Sequence, residues 1–177
     1  MFNTIVVAND GSENAQHATE VASDIAIKYN SEIIMVHVVE QRFITDALQR
    51  YAKMEPLRIL DDIQTSEVQE RMKTLAHDAA PHVDSLRESS THMGQHALDL
   101  GEHVAREKGV KKVQTFLEFG SPAREILRHA NSSNADLIVT GRSGHGHHAP
   151  DPVLGSVANR VNHGAHCSYL AVGKSVG

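Results

Sequence analysis

The sequence predicts an α/β protein in three layers, with a mainly parallel β-sheet covered by helices on both faces. Strand-sized apolar runs recur along the chain, amphipathic helical segments separate them, and turns containing glycine follow several of the runs. Strands that alternate with helices return in the same direction, so each helix crosses over a sheet face. In such a sheet a ligand lies beyond the carboxyl ends of the strands, where the strand order reverses.

Thr4–Ala8 is an uncharged β-branched run and reads as a strand buried on both faces. Asn9-Asp10-Gly11 supplies a turn, and Ser12 followed by Glu13 reads as a helix start. Ala15, Ala18, Val21, Ala22, Ile25 and Ala26 recur at helical spacing and carry that helix to about Lys28. Ile33–Val39 is a second buried strand, interrupted by His37. The segment from about 40 to 109 is a long crossover of helical composition, able to hold an extra helix or helical pair. Pro56 and Pro81 are expected to start or interrupt helices there, and Gly109 to end the last one. Leu57, Leu60, Ile63 and Val68, then Leu98, Leu100 and Val104, mark separate apolar faces. Lys112–Glu118 is a third strand. Gly120-Ser121-Pro122 follows it as a turn, with Ser121 as N-cap and Pro122 in the first helical position. Ile126, Leu127 and Ala130 face the core from the next helix. Asp136–Thr140 is a fourth strand, Leu154–Val161 a short helix and Tyr169–Val172 a final strand. The loops Asn9–Ser12, Val38–Gln41 and Gly141 onward are expected side by side.

Composition bounds the function. The chain has 177 residues, 40% of them hydrophobic, which suits one domain spanning 1–177 with one substantial core. Its formal net charge is -5, and its 17 Lys and Arg are scattered, as at Lys111-Lys112. Displacing condensed counterions from a nucleic acid needs clustered cations, so nucleic acid is disfavoured as a partner. The single cysteine, Cys167, reads as a small buried apolar residue. It can form no intramolecular disulfide, which suits a reducing compartment. A strand begins almost at once with no basic stretch before it, which does not fit a secretory signal. The longest apolar runs fall short of the roughly 20 residues a bilayer requires. A cytoplasmic protein is expected.

The chemistry concentrates after the fourth strand, in Thr140-Gly141-Arg142-Ser143-Gly144-His145-Gly146 and then Leu154-Gly155-Ser156-Val157. Glycines at the carboxyl end of a strand let backbone N–H groups converge without Cβ obstruction. Gly155-Ser156 opens a helix whose amides and dipole favour a phosphate, with the Ser156 hydroxyl as a further donor. No G-x-x-x-x-G-K-[ST] occurs and no G-x-G-x-x-G follows the first strand, which excludes a P-loop and leaves a Rossmann site unsupported. On local pattern alone the same glycines serve equally well as a plain turn.

Five pieces taken in order resemble the universal stress protein family. They are Ile5-Val6-Val7-Ala8-Asn9-Asp10-Gly11-Ser12, His37-Val38-Val39, Gly120-Ser121-Pro122-Ala123, Ala135-Asp136-Leu137-Ile138-Val139-Thr140-Gly141 and Gly155-Ser156-Val157-Ala158. The likeness covers most of the chain outside about 40–90. It implies a five-stranded sheet in the order 3-2-1-4-5, of the adenine nucleotide alpha hydrolase-like kind. The nucleotide-binding branch carries glycine, two residues, glycine, nine residues, glycine and then Ser or Thr. Here ten residues separate Gly144 from Gly155, one more than that signature. The resemblance implies ATP with Mg²⁺ as ligand. Asp10 and Val38 would line the base and ribose end. Gly141, Arg142, Gly144, Gly155 and Ser156 would hold ribose and phosphates, with Val157 lending an amide. It also implies a homodimer through the last strand, Ser168 to Val172. Two departures stand out: the loop holds Pro150, Asp151 and Pro152, and Cys167 is followed by Ser168 rather than by the proline that often precedes the last strand. An inward Asp151 would repel a triphosphate, whereas an outward one would be harmless.

His145, His147 and His148 lie close together, with His163 and His166 a short helix away. Imidazole clusters bind Zn²⁺, Ni²⁺ or Cu²⁺, but 13 histidines make some clustering expected by chance, and a polar loop is the favoured reading. Contact between these imidazoles and a terminal phosphate is a third possibility. Three functions follow. The leading one is a nucleotide-dependent regulator in the stress response, acting through dimer and protein-partner contacts. The second is a slow ATPase or self-phosphorylating protein using Ser156, for which His145 and Asp151 are bases only by proximity in sequence, so no catalytic residue is assigned. The third is an interaction module without nucleotide, responsive to metal.

Overall fold

The computed structural model describes residues 2–40, 65–144 and 154–173, with 65–79, 82 and 83 as backbone only. Its elements are β1 (Thr4–Ala8), α1 (Glu13–Tyr29), β2 (Glu32–Glu40), α2 (Thr65–Lys108), β3 (Val113–Gly120), α3 (Pro122–Ser132), β4 (Leu137–Gly141), α4 (Ser156–Gly164) and β5 (Ser168–Val172). The five strands form one sheet in the order β3-β2-β1-β4-β5. Every pairing is parallel: β1 lies between β2 (Ile5 opposite Ile33) and β4 (Ile5 opposite Leu137). The order reverses between β1 and β4, which brings the loops after those strands together at one end.

Alternation along the strands divides the core in two. Ile5, Val7, Ile33, Met35, Leu137 and Val139 turn toward α1 and α2, where Ala18, Ala22, Leu98 and Ala105 meet them. Val6, Ile34, Val36 and Ile138 turn the other way, onto Ala123, Ile126, Ala130 and Val161 of α3 and α4. The apolar runs at β1 and β2 therefore reflect strands covered on both faces. Helix α1 starts at Ser12, whose hydroxyl accepts from the Ala15 amide, and ends on Asn30 in the left-handed region at φ 55°. Ser121 occupies the N-cap of α3 with Pro122 behind it, as expected, but its side chain makes no capping bond.

The crossover differs from expectation. From Thr65 to Lys108 it is one helix of 44 residues, and Pro81 lies inside it. Pro81 is exposed, so water can take the carbonyl that the missing N–H leaves unbonded. Pro56, Leu57, Leu60 and Ile63 lie outside the described residues, as does the side chain of Val68. Leu98 is buried, but Leu100 is 39% exposed, in line with exposed Leu86 and Met93 at seven-residue intervals. Positions 98 and 100 are about 200° apart around a helix and cannot share a face. Strand β3 runs two residues beyond its expected end, because Val39 and Glu40 pair with Phe119 and Gly120. The last helix begins at Ser156 rather than Leu154 and continues to Gly164.

Two glycines let α2 settle on the sheet. A Cβ on Gly101 would lie 2.5 Å from Met35 Sδ and 2.6 Å from Asn9 Nδ2, and one on Gly94 would lie 2.6 Å from His37 Cδ2. At the opposite end of the sheet, Asp136 Oδ2 accepts from the amides of Asn3 at 2.7 Å and Thr4 at 3.1 Å, tying the start of β1 to β4.

Gly101→Val should destabilise the fold by about 1–3 kcal/mol, the usual cost of overfilling a packed contact, read as a lower urea midpoint. The amides of Asn3 and then Thr4 hold the Asp136 carboxyl below its ordinary value of 3.8. A lowered native value means that this tie is fully present above the unfolded value and is lost as pH falls through the native one. Asp136→Asn should therefore melt below the parent at pH 7, with the gap closing as pH falls below the ordinary carboxylate range. A gap unchanged across that range would contradict the assignment.

Candidate functional site

The loops that follow β1 and β4 meet at the carboxyl end of the sheet. Asn9 is 3% exposed and organises the first of them. Its backbone N–H donates to Val36 O at 3.0 Å. Its side-chain Nδ2 donates to Ala97 O of α2 at 3.0 Å and lies 3.6 Å from Met35 Sδ, while Oδ1 accepts from the Gly11 amide at 2.9 Å. His37 Nδ1 is 2.7 Å from Asn9 O, so that nitrogen carries the proton. The next residue, Asp10, is exposed, and its Oδ1 accepts from the Ser12 amide at 3.0 Å in a turn of Asx type.

The second loop lies against the first. A Cβ on Gly144 would stand 2.3 Å from Asp10 Oδ2. One on Gly141 would stand 3.0 Å from the backbone carbon of Asn14 and 3.1 Å from Ala15 N. Gly155 caps α4, and its amide donates to Arg142 O at 2.8 Å, closing the far side of the loop onto the near side. A Cβ there would meet Ser143 Cα at 3.3 Å. The Arg142 amide donates to Val172 O at 2.7 Å, and a Cβ on Gly173 would meet its side chain at 3.2 Å. Ser156, first in α4, is exposed, while the Val157 side chain packs into the core below. Asp10, Gly141, Arg142, Gly144 and Gly155 thus lie in two loops packed against each other at this end of the sheet. Val38 flanks them from β2, two positions beyond the last residue of β2 that pairs with β1.

Two polar groups buttress this end. The Thr140 hydroxyl donates to Gly141 O at 3.0 Å and lies 2.7 Å from the Tyr169 hydroxyl. A threonine has one proton to give, so Tyr169 donates to Thr140. Burial raises the Tyr169 phenol above its ordinary value, against the opposing bond to Thr140. Beside Val38, its register partner Glu118 takes a hydrogen bond from His129 at 2.8 Å and an ion pair from Arg128 at 2.9 Å. The His129 bond, then the Arg128 contacts, lower the Glu118 carboxyl despite its partial desolvation. Glu125 is lowered in the same way, by Arg128 first and then by Arg124.

The sequence singles out the glycines and Asp10, but not Asn9 as an anchor, Asn14 against the glycine turn, or the Glu118–Arg128–His129 cluster. Asn9 and Asn14 look like ordinary turn and helix-start residues, and only the fold reveals their distant partners. The spacing of Glu118 along β3 and of Arg128 and His129 on α3 was legible, but not their meeting. His145, His147, His148 and Asp151 lie outside the described residues. Among the described residues no group of three or more His, Cys, Asp or Glu side chains is arranged to hold a metal ion. Among them, too, no helix is long and apolar enough to cross a membrane.

Comparison with known proteins bears on this site. The sequence model of the universal stress protein family matches residues 1–173. The universal stress protein YxiE of Bacillus subtilis is 28% identical over 172 residues, covering 97% of this chain and 99% of the relative. A solved universal stress protein in complex with cAMP superposes with a TM-score of 0.60 at 20% identity, over 97% of both chains. One from Archaeoglobus fulgidus in complex with dAMP gives 0.55 at 15% identity, over 97% of this chain and 98% of that one. At such identities the structural likeness shows the shared fold, and the ligands are those of the proteins compared.

Asn9→Leu would leave Ala97 O and the Gly11 amide without their buried partner. The expected loss is about 1–3 kcal/mol of stability, measured as the shift in urea midpoint, for two hydrogen bonds that each net about 0.5–1.5 kcal/mol. A leucine variant as stable as the parent would contradict the anchoring role.

Proposed function

Because the chain belongs to the universal stress protein family, we propose that the paired loops at the carboxyl end of its sheet bind an adenine nucleotide, with ATP as the ligand. In this reading Asp10 and Val38 take the base and ribose end. Gly141, Arg142, Gly144, Gly155 and Ser156 take ribose and phosphates, and Val157 adds its amide at the start of α4. Mg²⁺ arrives as part of the ligand, on the triphosphate.

The observation that carries this reading is the space left by missing side chains. Gly144 faces Asp10 where a Cβ would come to 2.3 Å, and Gly155 faces Ser143 where one would come to 3.3 Å. The Gly155 and Arg142 amides are taken by Arg142 O and Val172 O, so the donors offered to an anion are the first-turn amides of α4 from Ser156 onward, which have no partner within the helix. The cAMP and dAMP held by two proteins of this fold support an adenine base as the other half of the ligand.

The protein then acts as a nucleotide-dependent regulator in the cytoplasm, reporting occupancy through contacts with a second copy and with a protein partner. No catalytic step is assigned to it. β5 ends the sheet, with β4 as its one strand neighbour among the described residues. A strand edge of this kind pairs with its twofold mate, and Ser168 to Val172 is the proposed dimer contact.

Calorimetric titration with ATP, ADP and AMP, with and without Mg²⁺, tests the reading. The parent should bind ATP with one site per chain. Gly144→Val should weaken that binding at least about tenfold, some 1.4 kcal/mol, with an unchanged melting temperature. A parent indifferent to ATP, or a Gly144→Val variant that binds as the parent does, would overturn it.

A further inference from the structure

Where the first turn of α1 meets the glycine turn after β4, one side chain bridges them. Asn14 Nδ2 donates to Ser143 O at 3.0 Å and to Ser143 Oγ at 2.9 Å. A carbonyl oxygen only accepts, so the Ser143 carbonyl fixes which end of the Asn14 amide faces it. Both residues are half-buried. The contact lies between the two glycines of the turn, with Gly141 set against the Asn14 backbone on one side and Gly144 against Asp10 on the other. Beyond Ser143 the chain is closed by the bond from the Gly155 amide to Arg142 O, at 2.8 Å.

This arrangement leaves the glycine turn dependent on a residue 129 positions away in sequence. A turn built from Gly141 and Gly144 carries little conformational preference of its own, since glycine visits most of backbone space. Side chains at the two glycines would crowd it, since a Cβ on Gly141 would stand 3.0 Å from the Asn14 backbone carbon and one on Gly144 2.3 Å from the end of the Asp10 side chain. Its shape must be imposed from outside. The Asn14 amide, mounted on the start of α1, bonds to it from another element.

We propose that Asn14 is the positioning residue of the phosphate cradle. By holding both the carbonyl and the hydroxyl of Ser143, it fixes the Gly141–Gly144 turn in the shape that keeps Gly155 closed onto Arg142 and presents the turn to the phosphates. Asn14 touches no phosphate itself. The proposal rests on the nucleotide-binding reading above. It adds that the phosphate half of the site depends on Asn14, whereas the base half, at Asp10 and Val38, does not.

Asn14→Ala removes both donors, and Ser143→Ala removes the hydroxyl contact alone. In Asn14→Ala, affinity for ATP should fall about tenfold, while affinity for adenosine, which has no phosphate, changes less than about twofold. Ser143→Ala should lose only a fewfold, and the double variant no more than Asn14→Ala, since neighbours in one network are not additive. A ligand-independent measurement accompanies these. In the nucleotide-free protein, hydrogen exchange at the Gly155 amide should quicken in Asn14→Ala while amides in the middle of β1 keep their protection. ATP affinity equal to the parent's, or unchanged Gly155 exchange, would overturn the proposal and leave the nucleotide reading intact. Equal losses for ATP and adenosine, with a lowered melting temperature, would make Asn14 a merely structural residue and overturn it as well. A parent that binds no nucleotide would instead remove the reading on which the proposal stands.

Discussion

The architecture turns on the buried amide of Asn9. Three separate pieces of chain meet at this residue: β2 through Val36 and His37, α2 through Ala97, and the following turn through Gly11. The carbonyl of a residue inside a helix rarely needs an outside partner, yet Ala97 O takes one here. The long crossover is thereby fastened to the loop that carries Asp10. A polar group so deeply buried is tolerated only because donors and acceptors are all matched. Among the described residues, no buried side-chain nitrogen or oxygen lacks a hydrogen-bond partner.

Close approach is the second constraint, and glycine supplies it twice with different outcomes. On α2, Gly94 and Gly101 bring a helix down onto His37 and Met35, which serves packing. In the β4 loop, Gly141, Gly144 and Gly155 bring backbone against α1, Asp10 and Ser143, which shapes a surface. The difference lies in what the backbone still has to bond. Within a helix the N–H groups are already used, whereas those of the first turn of α4 have no partner within the helix.

The fold was legible in sequence because its strands are covered on both faces. Ile5-Val6-Val7 and Ile33 to Val36 are continuous apolar runs, and no helix period competes with them. Element ends were less legible, since Phe119 and Gly120 extend β3 by pairing with β2 and not by any pattern of their own. The crossover was misread at Pro81 because an exposed helix tolerates a proline that a buried one would not. At the site, the glycines announce themselves by spacing, and Asp10 through the resemblance to the family. Asn9 and Asn14 do not, because an amide two residues into a loop or helix looks the same whether its partner is water or a carbonyl more than eighty residues away. Glu118, Arg128 and His129 are ordinary surface types until β3 and α3 are folded together.

The length of α2 has a mechanical corollary. Its anchorage to the sheet lies around Gly94, Ala97 and Gly101, while Pro81 and the residues from Asp84 to Ser89 stand in solvent. At 1.5 Å per residue, the arm from Gly101 to Pro81 is about 30 Å long. A rocking of about 5° at its fulcrum sweeps the far end through roughly 3 Å. A displacement too small to notice beside Asp10 is thus magnified, at a distance, to about the width of a water molecule.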